Sequence, residues 1–303
     1  MIIYWLKAFR LRTLPLAFSS VITGTAVAID IGFFDWITFS LALTTTLFLQ
    51  ILSNLANDYG DAEKGTDNEN RIGPKRSVQS GVISKIQMKK AIIIFVFLCL
   101  LSGFSLVFYA TRTISFWYPL TFILVGVISI VSAIKYTVGA RAYGYYGLGD
   151  LFVFIFFGVV GVIGTAFLQV HDFYFSMLLP SITIGCFSVA VLNLNNMRDW
   201  ENDKASRKNT LVVKIGLPKA KKYHFTIVII GFFSSITYVF QQDFRLIDLT
   251  FILAFIPIVL HLKTIEKIKK TPSEFDPELK KVSVSTFLFS ILFLVSIIVK
   301  YQG

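Results

Sequence analysis

Nine long stretches without a charged residue divide this chain, and they constrain its fold more than any other feature. A helix that crosses the hydrocarbon core of a bilayer needs about 20 residues, within a range of about 17–25. Eight of the runs reach that range, whereas the run 249–262 has only 14 residues. The runs are 13–29, 36–57, 91–111, 113–134, 151–170, 173–197, 225–242, 249–262 and 282–299. The sequence therefore predicts an all-α membrane protein with nine transmembrane helices.

The composition agrees with this fold and excludes several other classes of protein. Charged residues make up 16% of the chain and hydrophobic residues 55%, whereas soluble domains average roughly 25% charged residues. An ordinary soluble enzyme and a disordered chain are both excluded by these proportions. The two cysteines, Cys99 and Cys186, lie within apolar runs, so the sequence offers neither a disulfide framework nor zinc-ligand spacing.

Lysine and arginine are distributed unequally between the two sets of helix ends. With nine spans, one set carries 26 of the 29 basic residues, in segments 1–12, 58–90, 135–150, 198–224 and 263–281. Because basic loops stay in the cytoplasm, we expect the N-terminus and both long loops there and the C-terminus outside. Topology thus explains the basic charge, and we predict no binding to nucleic acid. Residues 1–303 form one predicted transmembrane domain.

Two acidic motifs continue apolar runs beyond the predicted bilayer. The first motif is Asn54, Asp58 and Asp61, and the second motif is Asn196, Asp199 and Asp203. Their spacings are i, i+4, i+7 and i, i+3, i+7, so on a helix each motif occupies one face. Both motifs emerge on the predicted cytoplasmic side, which makes them candidates for a shared functional site.

The chemistry of the two motifs favours a metal ion. Paired carboxylates at the edge of a low-dielectric slab repel each other, and a cation relieves that repulsion. Carboxylate and amide oxygens without nearby histidine or cysteine favour a hard ion such as Mg²⁺. Helix capping followed by a solvated loop is the structural alternative for one motif alone. Because the pattern occurs twice on one side, the sequence favours a magnesium site.

Basic residues follow each motif along the chain. They are Lys64, Arg71, Lys75 and Arg76 after the first motif, and Lys204, Arg207, Lys208 and Lys214 after the second. Mg²⁺ on carboxylates beside basic side chains suits a diphosphate, because the metal bridges the two and Lys or Arg contacts the remaining oxygens. For any single Lys or Arg, membrane topology is the alternative explanation.

Other features favour structural roles. Gly158, Gly161 and Gly164 form a small-residue strip that is typical of helix packing. His171, His224 and His261 are scattered near span ends, and we interpret them as interfacial residues. No GxxxxGK[ST] motif is present, and the glycine-rich segment 144–149 lacks the order of a dinucleotide-binding motif.

The residues around the two motifs resemble a known family. The stretches NDYGDAEKGTDNENRIGPKRSVQSG (57–81) and NNMRDWENDKASRKNTLVVKIG (195–216) are similar to the two aspartate motifs of the UbiA superfamily of membrane prenyltransferases. Their flanks resemble the branch that acts on 1,4-dihydroxy-2-naphthoate, as do RTLP (12–15) and YYGLGD (145–150). The resemblance covers nearly the whole chain.

The resemblance implies nine helices around a central cavity whose cytoplasmic mouth carries both motifs. The four aspartates would be catalytic, with Asp58 and Asp61 holding one Mg²⁺ and Asp199 and Asp203 a second. The residues that would bind the diphosphate substrate are Asn54, Asn57, Asn196, Asp67, Arg76, Lys135, Arg12 and Lys208. One departure concerns a Tyr-x-x-x-Lys element after the fourth span of many members. Here 132–136 reads SAIKY, so Lys135 is present without the tyrosine.

The implied activity is Mg²⁺-dependent transfer of a polyprenyl group from polyprenyl diphosphate to 1,4-dihydroxy-2-naphthoate. CO₂ and diphosphate would be released, giving a demethylmenaquinone in menaquinone biosynthesis. The protein would lie in the bilayer of the cell (inner) membrane with its active site at the cytoplasmic face, and its oligomeric state is left open. One alternative is a family member that prenylates 4-hydroxybenzoate or makes haem O. The other is an ion-coupled transporter, although transporters place their sites near the bilayer midplane.

Overall fold

The computed structural model describes residues 1–69, 71–242, 244–268 and 272–302. In this part of the chain there is no strand, and nine helical spans are long and apolar enough to cross a membrane. Spans 1 to 9 are Ile2–Ile31, Trp36–Glu63, Lys85–Thr111, Trp117–Lys135, Gly149–Val170, Phe175–Ala205, Leu217–Phe240, Leu246–Lys267 and Pro272–Tyr301. The prediction of nine spans is confirmed, and the short eighth run belongs to a span of 22 residues.

Several spans extend past the uncharged sequence that predicted them. Span 2 continues as an α-helix to Glu63, and span 6 continues to Ala205. Local capping fixes where spans begin: the Asp35 carboxylate accepts a hydrogen bond from the backbone N–H of Thr38 at 2.6 Å. Because both extensions are regular helix, each acidic motif lies on one helical face, as its spacing predicted.

Five spans are not uniform α-helices. Span 1 consists of α-helix Ile2–Phe9, a left-handed residue at Arg10, a 3-10 turn Leu11–Thr13 and α-helix Leu14–Ile31. Span 5 consists of α-helix Gly149–Val153, π-helix Phe154–Ile163 and α-helix Gly164–Val170. Span 6 begins with the 3-10 segment Phe175–Met177 and continues as α-helix Leu178–Ala205. Span 8 begins with the 3-10 segment Leu246–Phe255 and continues as α-helix Ile256–Lys267. Span 9 begins with the 3-10 segment Pro272–Glu274 and continues as α-helix Phe275–Gln302. A 3-10 turn, Tyr143–Tyr146, and a short helix, Leu211–Ile215, lie between spans.

Spans 1 and 6 occupy the centre of the bundle. Buried residues make up 67% and 61% of their apolar windows, against 22%, 22% and 17% in spans 2, 3 and 4. Span 1 packs against spans 2, 5 and 9, and span 6 packs against spans 5, 7 and 9. Spans 3 and 4 expose large apolar side chains such as Phe97, Phe108 and Leu124. Those faces therefore suit contact with lipid rather than water.

A cavity of about 690 Å³ lies within the bundle, as predicted. Its lining residues in the described chain come from spans 1 to 6 and from the segment between spans 4 and 5. Spans 6 to 9 instead pack into a solid core whose aromatic rings meet edge to face at centroid distances of 4.8–6.1 Å. These rings are Phe187, Phe232, Phe251, Phe255, Phe289 and Phe293. The cavity is thus displaced towards the first half of the chain.

The predicted role of the small-residue strip is confirmed at two of its three glycines. A Cβ at Gly158 would lie 2.6 Å from the carbonyl oxygen of Ser181 in span 6, and one at Gly161 would lie 2.6 Å from the Cβ of Ser20 in span 1. Gly164 instead lines the cavity. Glycine therefore permits close backbone approach on two sides of span 5.

The interpretation of the histidines as scattered interfacial residues is wrong for two of them. His224 and His261 are fully buried, and their Nε2 atoms are 2.8 Å apart. His261 Nδ1 lies 2.7 Å from a carboxylate oxygen of Glu278, which also pairs with Lys281. This polar chain joins spans 7, 8 and 9 inside their core. Sequence spacing could not reveal it, because the three residues come from different helices.

Alanine at Gly158 tests the close contact between spans 5 and 6. The added Cβ would press on the Ser181 carbonyl at 2.6 Å and on the Cα of Gly185 at 3.0 Å, and overpacking of this kind costs about 1–3 kcal/mol. We expect Gly158→Ala to lower the thermal unfolding temperature of the detergent-solubilised protein. Gly164→Ala is the matched control, because its Cβ would meet only the Phe122 ring, at 3.8 Å. An unfolding temperature that is equally unchanged in both variants would contradict this packing.

Candidate active site

The two acidic motifs meet at one end of the bundle, which we call the acidic end. Their four aspartates, Asp58, Asp61, Asp199 and Asp203, are all buried, with exposed fractions of 2–6%. A hydrogen bond joins the helix of the second motif to the loop that follows the first motif. The Asn202 side-chain amide donates to the carbonyl oxygen of Thr66 at 2.9 Å. The fold therefore brings the two motifs together at one end of the bundle, and a shared site stays a prediction.

The aspartates of the first motif accept hydrogen bonds from three different segments. Asp58 accepts from the backbone N–H groups of Ser77 and Val78, at 3.1 and 3.5 Å. Asp61 Oδ1 accepts from the Tyr145 hydroxyl at 2.8 Å and lies 3.3 Å from Lys208 Nζ. The loop after span 2 therefore folds back over its own motif, and the segments after spans 4 and 6 complete the enclosure.

Tyr145 is a residue of this site to which the sequence assigned no role. Its hydroxyl is also 2.6 Å from that of Thr66, and Lys64 Nζ lies 3.8 Å from the centre of its ring. Burial, reinforced by the Asp61 carboxylate, raises the pKa of Tyr145 well above its usual range. Tyr145 therefore stays protonated and donates to Asp61. Its position in a short segment on the same side as the motifs was the available signal.

Lys208, a predicted diphosphate-binding residue, lies within the acidic end. Besides Asp61 it interacts electrostatically with Asp203, and its side chain is 12% exposed. Burial alone would lower the pKa of Lys208, but the nearby carboxylates, Asp61 foremost, outweigh it and raise that pKa. Lys208 is therefore a permanently charged ammonium group that neutralises carboxylates of both motifs.

Asp67 and Arg76, also predicted to bind substrate, lie in the loop above the first motif, next to Arg71. Arg71 Nε is 3.1 Å and Arg76 Nε 3.7 Å from Asp67 Oδ1. Burial, reinforced by the Asp61 carboxylate, raises the pKa of Asp67 to about 7. Arg71 also reaches Asp199, with its Nη2 at 3.8 Å from Oδ2. The Arg71 guanidinium therefore contacts both Asp67, in the loop after the first motif, and Asp199 of the second motif.

The aspartates of the second motif differ in their partners. Arg198 binds Asp199 through two hydrogen bonds, from Nε to Oδ1 at 2.9 Å and from Nη2 to Oδ2 at 2.7 Å. The same guanidinium contacts Asp276 of span 9, at 2.6 Å. Asp203, one helical turn further on, interacts electrostatically with Lys208, Asp199 and Asp61. Asp199 is thus the aspartate most completely engaged by an arginine.

Arg10, which the sequence did not suggest, interacts with the buried aspartates, whereas two predicted basic residues at the same end of the bundle are exposed. Arg10 Nη2 is 3.5 Å from the carbonyl oxygen of Asn54, and its charge interacts with Asp58 and Asp61. Arg12 and Lys135 are exposed, outside the buried cluster. The left-handed turn at Arg10, with φ of 50°, redirects this segment, and no sequence pattern announced it.

The three predicted asparagines are close to the aspartates but are not equivalent. The Asn54 amide nitrogen donates to the Phe9 carbonyl at 2.9 Å and to Thr13 Oγ1 at 3.1 Å, so it fixes the break in span 1. Asn57 lines the cavity and accepts a hydrogen bond from Thr137 at 3.3 Å. Asn196 is buried one turn from Asp199 on the same helix. Asn54 thus has an observed structural role beside its predicted one.

The donor atoms at the acidic end fit Mg²⁺ in combination with a diphosphate. Among described residues, no group of three or more His, Cys, Asp or Glu side chains could hold a metal ion by itself. Each motif instead contributes two aspartates. Mg²⁺ is usually held by one or two carboxylates, and substrate phosphates and water complete its octahedron. Two carboxylates per motif therefore match two metal ions that share a diphosphate.

The cavity changes in polarity along its length. Close to the acidic end it is lined by Gln50, Ser53, Asn57, Tyr136 and Tyr143. Deeper in the bundle its lining includes Ala42, Leu106, Phe122 and Leu168. A polar mouth next to the aspartates and an apolar interior suit a ligand with a charged head and a hydrocarbon chain.

The chain matches known proteins along most of its length. The UbiA prenyltransferase family matches residues 17–296. Over 220 residues the chain is 50% identical to the 1,4-dihydroxy-2-naphthoate octaprenyltransferase of Escherichia coli (strain K12), covering 73% of this chain and 71% of that protein. It is 38% identical over 297 residues to the protein of the same name from Haemophilus influenzae, covering 97% of this chain and 96% of that protein.

A solved structure shares the fold at low sequence identity. A UbiA homolog from Archaeoglobus fulgidus bound to DMAPP and Mg²⁺ has a TM-score of 0.64 and 14% identity, covering 97% of this chain and 99% of that chain. This likeness shows the fold, and the family match over residues 17–296 favours an enzyme over the alternative of an ion-coupled transporter. The chain belongs to the UbiA prenyltransferase family and is a multi-pass membrane prenyltransferase.

Proposed function

We propose that this protein transfers a polyprenyl group from polyprenyl diphosphate to 1,4-dihydroxy-2-naphthoate in an Mg²⁺-dependent reaction. CO₂ and diphosphate would be released, and the product, a demethylmenaquinone, would serve menaquinone biosynthesis. The observation that carries the proposal is a cluster of four buried aspartates and several basic side chains at the mouth of an apolar cavity. The names and identities of the two bacterial relatives support the naphthoate acceptor.

The basic residues of the acidic end would stabilise the leaving group. Bound Mg²⁺ would supply Lewis-acid stabilisation of the diphosphate, held by Asp58 and Asp61 at one position and by Asp199 and Asp203 at the other. Lys208 and Arg71 lie beside Asp61 and Asp199, and Arg76 lies beside Asp67 in the loop above. All three would donate to the remaining diphosphate oxygens. Negative charge that develops as the allylic C–O bond breaks would thus meet preorganised positive charge.

The ring carbon of the acceptor that bears the carboxylate would attack the prenyl cation. A C–C bond forms there, the bond to the carboxylate breaks, and its electron pair restores the aromatic ring as CO₂ leaves. The cavity would keep the polyprenyl chain among apolar side chains and exclude water from the cation. Tyr136, Tyr143 and Phe152 line this cavity, and their π faces would stabilise positive charge near the mouth.

We further propose that the protein lies in the cell (inner) membrane with the acidic end at the cytoplasmic face. Support comes from the basic residues, of which 26 of 29 belong to the segments at that end of the spans. Both substrates then have a consistent place, because the lipid-soluble chain enters from the bilayer and the charged groups stay at the cytoplasmic surface.

A direct assay of the full chain in liposomes tests the proposed function. Octaprenyl diphosphate and Mg²⁺ would be supplied with 1,4-dihydroxy-2-naphthoate or 4-hydroxybenzoate, each with an EDTA control. We expect a prenylated naphthoquinol and CO₂, both lost with EDTA. A prenylated benzoate would keep the reaction class and overturn the acceptor, and absence of any product from folded protein would contradict the proposal as a whole.

Neutralising one aspartate of either motif tests the metal assignment. Asp58→Asn and Asp199→Asn each remove a buried negative charge that would hold Mg²⁺, and we expect both to lower kcat/KM by about 1000-fold or more, since the metal stabilises the leaving group. Glu201→Gln is the matched control, because Glu201 lies between the aspartates of the second motif but is exposed. Activity of the aspartate variants near that of Glu201→Gln would exclude these residues as metal ligands.

The different environments of Arg10 and Arg12 lead to a second comparison. We expect Arg10→Gln to lower kcat/KM for the polyprenyl diphosphate by about 10-fold or more, because its charge interacts with Asp58 and Asp61 and would stabilise the negative charge of a diphosphate bound beside them. Arg12→Gln, at an exposed position, should stay within about threefold of wild type. Steady-state kinetics of both variants would measure kcat/KM. A larger decrease of kcat/KM in Arg12→Gln than in Arg10→Gln would favour Arg12, the residue indicated by sequence resemblance.

A further inference from the structure

Arg198 engages Asp199 more completely than any other ion pair at the acidic end. Its Nε and Nη2 donate to the two carboxylate oxygens at 2.9 and 2.7 Å, in bidentate geometry. Both side chains are buried, with exposed fractions of 3% and 7%. Neither Asp58 nor Asp61 has such a partner among the described residues, because Asp58 accepts from backbone N–H groups and Asp61 from a tyrosine and a lysine.

The guanidinium is held in this position from its other side as well. Its Nη1 donates to Asp276 at 2.6 Å and its Nη2 to the Asn195 side chain at 2.8 Å. A Cβ at Gly73 would lie 2.9 Å from Arg198 Nη2, so the loop after span 2 covers it. Arg198 is therefore fixed against Asp199 rather than free to move aside into water.

The bidentate pair competes with a metal ion for the same oxygens. The two N–H donors occupy one lone pair on each oxygen of Asp199. A Mg²⁺ ion on a remaining lone pair would stand close to the buried guanidinium, and the repulsion between the two cations would favour displacement of one of them. A displaced guanidinium would be a buried cation without its partner, which is costly. A diphosphate removes that cost, because its oxygens bind Arg as strongly as a carboxylate does.

Charge balance at the acidic end points in the same direction. The five buried carboxylates already have basic side chains beside them, namely Asp58, Asp61, Asp67, Asp199 and Asp203 with Arg10, Lys64, Arg71, Arg76, Arg198 and Lys208. Adding two divalent cations alone would leave their charge uncompensated in a buried site. Adding them with a diphosphate supplies the compensating negative charge.

We propose that Arg198 is a positioning residue that occupies Asp199 until a diphosphate arrives, so that the second metal ion loads only together with the diphosphate. The first motif has no bidentate arginine and accepts its metal ion without that requirement. This inference rests on the proposed function, because it assumes that the two motifs hold metal ions for a diphosphate substrate. It assigns an order to substrate and metal binding that the overall reaction does not specify.

Metal binding to the full chain in detergent, without turnover, tests this proposal. Mn²⁺ serves as the probe, and free Mn²⁺ is followed by electron paramagnetic resonance with and without inorganic diphosphate. We expect wild-type protein to bind one Mn²⁺ tightly without diphosphate and two with it. Arg198→Gln should tighten binding of the second Mn²⁺ in the absence of diphosphate by about 10-fold or more, because the competing charged hydrogen bonds are gone.

Two further variants distinguish competition between Arg198 and the metal ion from a purely structural role of Arg198. Arg198→Lys keeps the charge but loses the bidentate contact, so its second Mn²⁺ should bind with intermediate affinity, and it carries the test if Arg198→Gln does not fold. Asp276→Asn removes the tie between spans 6 and 9 and leaves the contact with Asp199 in place. It should lower thermal stability without tightening Mn²⁺ binding.

The outcomes distinguish failure of this inference from failure of the proposed function. Two tight Mn²⁺ ions in wild type without diphosphate, or unchanged Mn²⁺ affinity in Arg198→Gln and Arg198→Lys, would overturn the role of Arg198 while leaving the two-metal site intact. The role of Arg198 would also be overturned if Asp276→Asn tightens Mn²⁺ binding as much as Arg198→Gln does. No Mn²⁺ binding by wild type even with diphosphate would overturn the metal assignment and this inference together.

Discussion

Five carboxylates buried at one end of a membrane bundle would be unstable without cations close to them. The chain meets this constraint with basic side chains from separate segments, namely Arg10 at the break in span 1, Arg71 and Arg76 in the loop after span 2, Arg198 in span 6 and Lys208 beyond it. Each of these segments therefore packs against the aspartates. Ordering of the loops at the acidic end is therefore a consequence of its charge balance.

The sequence predicted what depends on periodicity and could not predict what depends on contacts between elements. Nine apolar runs and two helical Asn/Asp motifs follow from spacing along the chain, and the structure retains both. The position of Arg10 depends on one left-handed residue, and the His224–His261 pair depends on how two helices cross. Resemblance to a family indicated Arg12 and Lys135, whereas interactions with the aspartates in the folded chain indicate Arg10 and Tyr145. Local patterns therefore identify the elements, and only packing identifies their partners.

The two halves of the bundle have different physical characters. Spans 6 to 9 share an aromatic core and the fully buried chain from His224 through His261 to Glu278. Spans 2 to 4 are less buried and enclose the cavity together with spans 1 and 5. The π-helical stretch Phe154–Ile163 lies where the two halves meet, and its glycines allow close packing on both sides. A densely packed half thus holds the second motif, while the less buried half encloses the cavity, which offers space for a hydrocarbon chain.

The position of the two motifs relative to each other depends on how these two halves of the bundle pack. Span 2, with the first motif, packs on spans 1, 3 and 4, and span 6, with the second, packs on spans 5, 7 and 9. Polar contacts of the loops bridge the motifs, from Asn202 to Thr66 and from Lys208 to Asp61. Such contacts involve groups that also bind anions, so a diphosphate between the motifs would replace protein partners with its own oxygens. A bound diphosphate would therefore act on the polar contacts that bridge the motifs and not on the apolar core of spans 6 to 9.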